Sequence, residues 1–186
     1  MIRLDENLRG AALMALSMLA FVLNDGLMKA VFDSMSIYQA IFLRGLITVP
    51  LIALLAWHKG EMIVSIAPRN RLLLTLRVAA EVGATVGFLT ALKYMPLANV
   101  TAILQVLPLT VTMAAALFLG EKVGWRRWLA IAIGLAGVMF IIRPGMEDFS
   151  VYSIWALVAV GCVTIREIAT RKLSADLPSL PVSLAT

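Results

Sequence analysis

Six apolar stretches of about 20 residues each are the feature that most constrains the fold of this chain. About 20 residues of α-helix span the roughly 30 Å hydrocarbon core of a bilayer. The 186 residues are 61% hydrophobic and 15% charged, whereas an average soluble domain is about half apolar and a quarter charged. We therefore predict an all-α integral membrane protein with six transmembrane helices. This composition excludes a soluble enzyme, a nucleic-acid-binding module and a secreted disulfide scaffold.

The six predicted spans are separated by turn and loop residues, and they lack the strict alternation of a membrane β-strand. They are Leu8–Phe32, Ile37–Trp57, Leu72–Leu92, Ala98–Leu119, Trp128–Ile142 and Tyr152–Lys172. The residues before the first span are mixed in charge, and no small-residue cleavage pattern follows it. We therefore expect the first span to stay in the membrane rather than to be removed as a signal peptide.

Basic residues between the spans predict the orientation of the chain. Ten of them fall on one side of the predicted topology: Arg3, Arg9, Lys59, Arg69, Arg71, Lys122, Arg126, Arg127, Arg171 and Lys172. The other side carries Lys93 and Arg143 with acidic Asp33, Glu147 and Asp148. Because basic segments stay in the cytoplasm, both termini are predicted to be cytoplasmic. The same rule accounts for the net charge of +5 without a nucleic-acid partner.

Spans one and six carry similar charged patterns, which suggests an internal duplication. Asn24-Asp25 is followed by Lys29, and Arg166-Glu167 is followed by Arg171. The two spans cross in opposite directions, which is the relation expected when a unit of five spans is duplicated. This interpretation makes residues 8–145 a five-helix repeat and residues 146–186 the incomplete start of an inverted second repeat. It predicts four further spans, whereas a short cytoplasmic tail over residues 174–186 is the alternative.

Several motifs of the chain resemble those of the EamA-type drug/metabolite transporters. They are Ala91-Leu92-Lys93-Tyr94-Met95-Pro96-Leu97-Ala98, Leu107-Pro108-Leu109, Leu119-Gly120-Glu121-Lys122-Val123-Gly124-Trp125-Arg126-Arg127-Trp128, Gly134, Gly137-Val138, Ile142-Arg143-Pro144-Gly145 and Asn24-Asp25. The resemblance implies ten spans in two inverted halves around a central substrate cavity. It further implies a secondary transporter in the bacterial inner (plasma) membrane. Its substrate would be a small metabolite resembling an amino acid, vitamin or nucleotide, or a drug, moved by alternating access.

Ionisable side chains inside the spans are the main candidates for function, because each needs a partner or a water-filled cavity. Asp25 and Lys29 lie one helical turn apart and can pair, although Lys29 could instead extend to the interface. Arg44 requires an acid from another helix, and Asp25 or Glu81 could supply it. Arg77 and Glu81 repeat the four-residue spacing. A purely structural ion-pair network is the competing interpretation.

Span four carries a polar stripe that predicts a bent, cavity-lining helix. Thr101, Gln105, Pro108 and Thr112 fall on one helix face. Pro108 also removes the backbone hydrogen bond to the carbonyl of Leu104, so we expect a kink there. Ordinary hydrogen bonding between helices is the alternative role of the stripe. The full set of substrate-cavity or coupling candidates is Asn24, Asp25, Lys29, Arg44, Arg77, Glu81, Thr101, Gln105, Thr112, Arg166 and Glu167.

Small residues mark positions of close helix packing, and the absence of charged residues marks a span that does not line the predicted substrate path. Gly83 and Gly87 in span three, and Ala130 and Gly134 in span five, have the spacing that permits close helix packing. Span five carries no charge between Trp128 and Ile142, so we expect it at the periphery.

An enzyme is the weakest of the functional classes considered. The single histidine lies at a span end, the single cysteine is Cys162, and no nucleophile–base pair or metal-ligand cluster is apparent. The sequence therefore predicts no cofactor and no metal, and no phosphate-binding loop for ATP is present. The expected partners are a small-molecule substrate and the lipid bilayer, and a homodimer is left open. A non-transporting membrane fragment or scaffold subunit is the remaining alternative.

Overall fold

A computed structural model describes residues 6–58, 68–143 and 150–173 of the chain. These residues form seven α-helices and no strand: α1 Glu6–Val31, α2 Ile37–His58, α3 Pro68–Tyr94, α4 Leu97–Leu104, α5 Leu107–Phe118, α6 Trp125–Ile142 and α7 Tyr152–Leu173. They provide six segments long and apolar enough to cross a membrane, with α4 and α5 together forming the fourth. The predicted all-helical fold with six spans is confirmed. Outside the described residues lie Lys59, Glu147, Asp148 and residues 174–186. The backbone of Arg69 is described, and its side chain lies outside the description.

The fourth span is divided where proline interrupts its backbone ladder. α4 ends at Leu104 and α5 begins at Leu107, with Pro108 in the first turn of α5. In the intervening turn, the Val106 amide donates to the Ile103 carbonyl at 3.2 Å. This bond spans three residues instead of the four of an α-helix. The amides of Leu109 and Thr110 both return to the Val106 carbonyl. Because proline has no amide hydrogen, the ladder cannot continue through this position.

The antiparallel pair of α3 and α7 forms the most extensive helix contact among the described residues. A Cβ atom added at Gly87 would lie 2.9 Å from the Trp155 carbonyl oxygen, and one added at Gly83 would lie 2.9 Å from Cys162 Sγ. The missing side chains thus allow the two backbones to approach closely. At the end of the pair, the rings of Tyr94 and Tyr152 stack with centroids 4.2 Å apart. The predicted packing role of the two glycines is confirmed.

The interior of the bundle lies at the end that carries Tyr94, which we call the Tyr94 end. Here α4 and the turn that follows it bring Val100, Ile103 and Val106 against Val138 of α6 and Val160 of α7. α6 contacts α4 and α5, and Gly134 faces the side chain of Leu109. The outward face of α6 exposes large side chains such as Phe140. α6 therefore lies at the edge of this bundle.

α1 and α2 are joined by a short turn at the Tyr94 end, and we call them the α1–α2 hairpin. The two helices make little contact with each other, and they are attached to the other helices mainly at the Tyr94 end. Phe32 and Ala40 pack there against Leu89 and Leu92 of α3. The Ser36 hydroxyl accepts from the Gln39 amide and the Gln39 side chain accepts from the Ser36 amide, which is a capping box at the start of α2. In contrast, residues 10–23 of α1 are all exposed. The hairpin is thus fixed at one end and has a free apolar surface along much of its length.

Candidate functional site

A cavity of about 270 Å³ lies between the α1–α2 hairpin and the α3–α7 pair. Four helices contribute charged side chains to it: Asp25 from α1, Arg44 from α2, Glu81 from α3 and Arg166 from α7. The other lining residues are Phe21, Asn24, Ala84, Thr85, Phe88, Leu104, Leu107, Ala159 and Val163. The cavity therefore joins a charged wall to an apolar wall in the interior of the spans.

Arg166 is the centre of an ion-pair cluster at this cavity. Its Nη1 atom donates to both carboxylate oxygens of Glu81, at 3.0 and 3.3 Å. Its Nη2 atom donates to Glu167 at 2.7 Å. Arg166 and Glu81 are both mostly buried, with 28% and 29% of their side chains exposed. Two acids from two helices thus share one guanidinium, which joins α3 to α7 in the interior of the spans.

The predicted pairing of Arg77 with Glu81 is wrong. Arg77 Nη1 donates to the Thr170 hydroxyl across the α3–α7 contact, and Thr170 in turn donates to the Arg166 carbonyl at 2.7 Å. Glu81 is already occupied by Arg166. Because α7 lies so close to α3, a partner across the contact replaces the partner one turn along the same helix. The Nε atom of Arg77 is buried without a hydrogen-bond partner among the described residues.

Lys29 does not pair with Asp25, which was one of the two alternatives for this residue. Lys29 Nζ donates to the carbonyls of Leu92, Lys93 and Met95, at 2.6, 2.9 and 2.9 Å. These carbonyls belong to the last turn of α3 and to the residue just beyond it, where helical acceptors lack amide partners and the helix dipole is negative. The ammonium group therefore binds the end of another helix. Asp25 instead accepts a hydrogen bond from the side-chain amide of Asn24 at 3.3 Å.

Arg44 reaches the expected neighbourhood without the expected ion pair. It lines the same cavity as Asp25 and Glu81, and it is exposed. Within the described part of the chain, the ion pairs join Arg166 to Glu81 and Glu167, and Arg171 to Glu121. Asp25 and Arg44 therefore face one cavity without a direct ion pair between them.

The polar stripe of span four does not line this cavity. The hydroxyls of Thr101 and Thr112 donate to carbonyls of their own helices, at 2.9 Å to Leu97 and 2.7 Å to Pro108. Gln105 lies in the turn before Pro108 and is exposed. Span four instead contributes Leu104 and Leu107 to the cavity. A threonine satisfies its hydroxyl locally in a helix, so a polar stripe alone does not identify a cavity wall.

Two polar contacts across α7 were not expected from the sequence. The hydroxyls of Thr110 and Thr164 lie 2.9 Å apart and join α5 to α7, and Thr170 receives Arg77. Thr164, Arg166 and Thr170 are all polar positions in the second half of one apolar span. That concentration was the available signal that α7 has several polar partners.

The fold and the cavity define a class: a polytopic helical membrane protein with a charged cavity lined by several spans. Residues 8–143 match the model of the EamA-like transporter family. The chain therefore belongs to this family, as its motifs had indicated. Family and relatives are transporters rather than enzymes.

The relatives show which proteins share parts of this sequence. The chain is 36% identical to a riboflavin transporter of Vibrio cholerae over 109 residues, 58% of this chain and 37% of that protein. It is 25% identical to the pseudopaline exporter CntI of Pseudomonas aeruginosa over 173 residues, 92% of this chain and 60% of the exporter. An S-adenosylmethionine uptake transporter of Rickettsia bellii is 27% identical over 81 residues, 44% of this chain and 28% of that protein. The chain thus spans three fifths or less of each of these relatives, and no solved structure matches it significantly.

Proposed function

We propose that the protein is a secondary transporter that carries a small metabolite across the bacterial inner membrane. The observation that carries this proposal is the cavity in which four helices of an EamA-family chain present Asp25, Arg44, Glu81 and Arg166. Charged groups inside a span are costly and mark substrate or ion pathways. Transporters of riboflavin, pseudopaline and S-adenosylmethionine among the relatives support a small organic substrate.

Within the cavity we assign different roles to the charged residues. Asp25 and Arg44 are the substrate-binding groups, since they face the cavity without an ion pair between them. Asn24 orients the Asp25 carboxylate through its amide. Glu81, Arg166 and Glu167 hold α3 and α7 together and form the fixed wall of the site. Arg77 belongs to the same structural wall through Thr170.

For the mechanism we propose alternating access in which the α1–α2 hairpin moves against the α3–α7 pair. The distribution of basic residues supports an orientation with the Tyr94 end outside and both termini in the cytoplasm. At the Tyr94 end, Lys29 and the packing of Phe32 against Leu89 and Leu92 fasten the hairpin, so this end is closed. Residues 10–23 of α1 are exposed at the other end, which supports access to the cavity from the cytoplasm.

We further propose that residues 8–145 form one five-helix repeat and that residues 146–186 begin an inverted second repeat. The charged patterns of α1 and α7 support this relation, because Asp25 of α1 and Arg166 of α7 line the same cavity. In inverted-repeat transporters the substrate site lies between the repeats near the middle of the membrane.

Flux through reconstituted vesicles tests the proposed function. The protein would be placed in liposomes loaded with a panel of metabolites, and saturable exchange of labelled substrate would be measured. We expect Asp25→Asn and Arg44→Gln to lower flux at least about tenfold, which corresponds to about 1.4 kcal/mol of lost interaction. The matched controls Asp33→Asn and Arg126→Gln lie away from the cavity and should leave flux unchanged. Saturable flux that ignores both cavity variants would contradict the site. Complete absence of flux would favour the non-transporting scaffold instead.

A further inference from the structure

The charges that line the cavity are not equally available to a ligand. Arg166 is bound by Glu81 and Glu167 at 3.0 and 2.7 Å, so these three groups satisfy one another. Asp25 accepts one neutral hydrogen bond, from Asn24 at 3.3 Å. Arg44 comes from a different helix, is exposed, and lines the same cavity without an ion pair to Asp25. One carboxylate and one guanidinium therefore remain directed at the cavity.

A ligand with both signs of charge fits these two groups better than a ligand with one. A molecule with a single charge would engage Asp25 or Arg44 and leave the other charge inside a membrane span without a counter-charge, which is costly. A guanidinium presents a planar fork that suits a carboxylate or phosphate, whereas an aspartate suits a compact ammonium group. The expected orientation therefore places the anionic end at Arg44 and the cationic end at Asp25.

The remaining surface of the cavity indicates the character of the ligand. Phe21 and Phe88 provide aromatic faces, and Leu104, Leu107 and Val163 provide aliphatic surface. The volume of about 270 Å³ lies below the approximately 300–1,000 Å³ of typical drug-sized ligand pockets. Such a space holds a molecule of amino-acid size, or the charged end of a larger one, with an apolar group against the phenylalanines.

We propose that the cavity selects zwitterions that carry an ammonium group and an acidic group beside an apolar group. This inference rests on the proposed transport function for its biological meaning, but it concerns binding selectivity and can be tested by binding alone. Asp25 and Arg44 are the specificity-determining residues, and each one reads one charge of the ligand.

Matched probe sets test the selectivity. Alanine, leucine and phenylalanine would each be compared with their amides, which keep only the positive charge. Each would also be compared with the acid that lacks the amino group and with the N-acetyl amide, which has no charge. Binding to the purified protein would be measured by ligand-dependent thermal stabilisation. We expect the zwitterions of leucine and phenylalanine to bind at least about tenfold more tightly than any of their single-charge analogues.

Variants assign each charge to its residue. Asp25→Asn should abolish the preference for phenylalanine over the acid that lacks the amino group, because the ammonium loses its partner. Arg44→Gln should instead abolish the preference for phenylalanine over its amide. Asp25→Glu and Arg44→Lys, which keep the charges, should retain most of each preference. Because each readout is a ratio of affinities within one variant, a general loss of stability does not alter it.

Three results would overturn the proposal: equal binding of zwitterions and single-charge analogues, preferences that survive both neutral variants, or no stabilisation by any zwitterion. These outcomes are distinct from failure of the proposed function. A protein that exchanges a neutral or singly charged metabolite across vesicles would remain a transporter while the zwitterion selectivity was wrong. A protein that binds zwitterions selectively but supports no flux would retain the site and lose the transport assignment.

Discussion

The two glycines between α3 and α7 allow the packing of this pair to be tested with single methyl groups. A Cβ atom at position 87 would lie 2.9 Å from the Trp155 carbonyl oxygen and 3.2 Å from the Ala159 amide nitrogen. Both are backbone atoms of a helix, which cannot rotate away, so Gly87→Ala must push the two helices apart. Overpacking of this kind costs about 1–3 kcal/mol. We expect the upper part of that range, because helix association in a membrane depends on close packing.

The corresponding change at position 83 meets a side chain and can therefore be rescued. Its Cβ atom would lie 2.9 Å from Cys162 Sγ, and the next atom is Cys162 Cβ at 3.8 Å. Because a thiol can rotate, Gly83→Ala should cost only about 1 kcal/mol. In a Cys162→Ala background the sulfur is gone and the remaining contact is ordinary. The two changes should therefore be coupled by at least about 0.5 kcal/mol.

Thermal unfolding in detergent micelles measures both effects. One kcal/mol shifts the melting temperature by about 2–4 °C for a chain of this size. Relative to glycine-to-alanine controls, which share the gain in helix propensity, Gly87→Ala should therefore lower it by about 4–12 °C and Gly83→Ala by about 2–4 °C. Gly161→Ala and Gly137→Ala are the matched controls, since an added Cβ meets nothing within 4 Å at either position. Alanine favours helix over glycine, so the controls should not fall. Equal melting of Gly87→Ala and Gly161→Ala would refute the contact, and absence of rescue by Cys162→Ala would refute its register.

Three further predictions concern the charged residues and the orientation of the chain. Arg166→Gln should destabilise the protein by about 2–3 kcal/mol, more than Glu81→Gln, because it leaves two acids without their partner. The melting temperatures of both variants and of the double variant check this order, and equal effects would contradict it. Lys29→Met should lower the free energy of unfolding by roughly 2 kcal/mol through the loss of charged hydrogen bonds. It should also speed amide hydrogen exchange over residues 92–95, and unchanged exchange would mean that Lys29 does not fasten α1 to α3. Reporter fusions after Asp33, Met95 and Glu147 should be periplasmic and those after Lys59, Lys122 and Ala175 cytoplasmic, and one reversed pair would refute the orientation.

The spans could be predicted from the sequence because length and apolarity are local properties. The same holds for Pro108, whose missing amide interrupts span four wherever the helix packs. The spacing of Gly83 and Gly87 indicated a close contact, but the sequence did not identify α7 as the partner. A small-residue motif marks one surface of a contact, and the second surface depends on the whole arrangement of helices.

The charged partners were harder to predict, because sequence spacing favours neighbours on the same helix. Asp25 with Lys29 and Arg77 with Glu81 both have the spacing of a helical ion pair, yet neither pair forms. Lys29 binds backbone carbonyls. Every helix end provides such carbonyls whatever its residue types are, so the sequence does not identify them as partners. Arg77 and Glu81 both find partners on α7 because that helix lies in direct contact with α3. Long-range neighbours therefore decided the pairing in both cases.

The distribution of contacts indicates how a ligand would change this structure. The α3–α7 pair is joined along its length by stacked tyrosines, close backbone contact and the Arg166 ion pairs, whereas the hairpin is fastened mainly at the Tyr94 end. A ligand shifts a conformational equilibrium only by contacts that differ between the two states. A ligand bound between Asp25 and Arg44 would join the two helices of the hairpin, whereas its contacts with Phe88 and Val163 would fall on a pair that is already joined along its length. Zwitterion binding should therefore slow amide exchange in α1 and α2 more than in α3 and α7. Equal slowing in all four helices would contradict a moving hairpin.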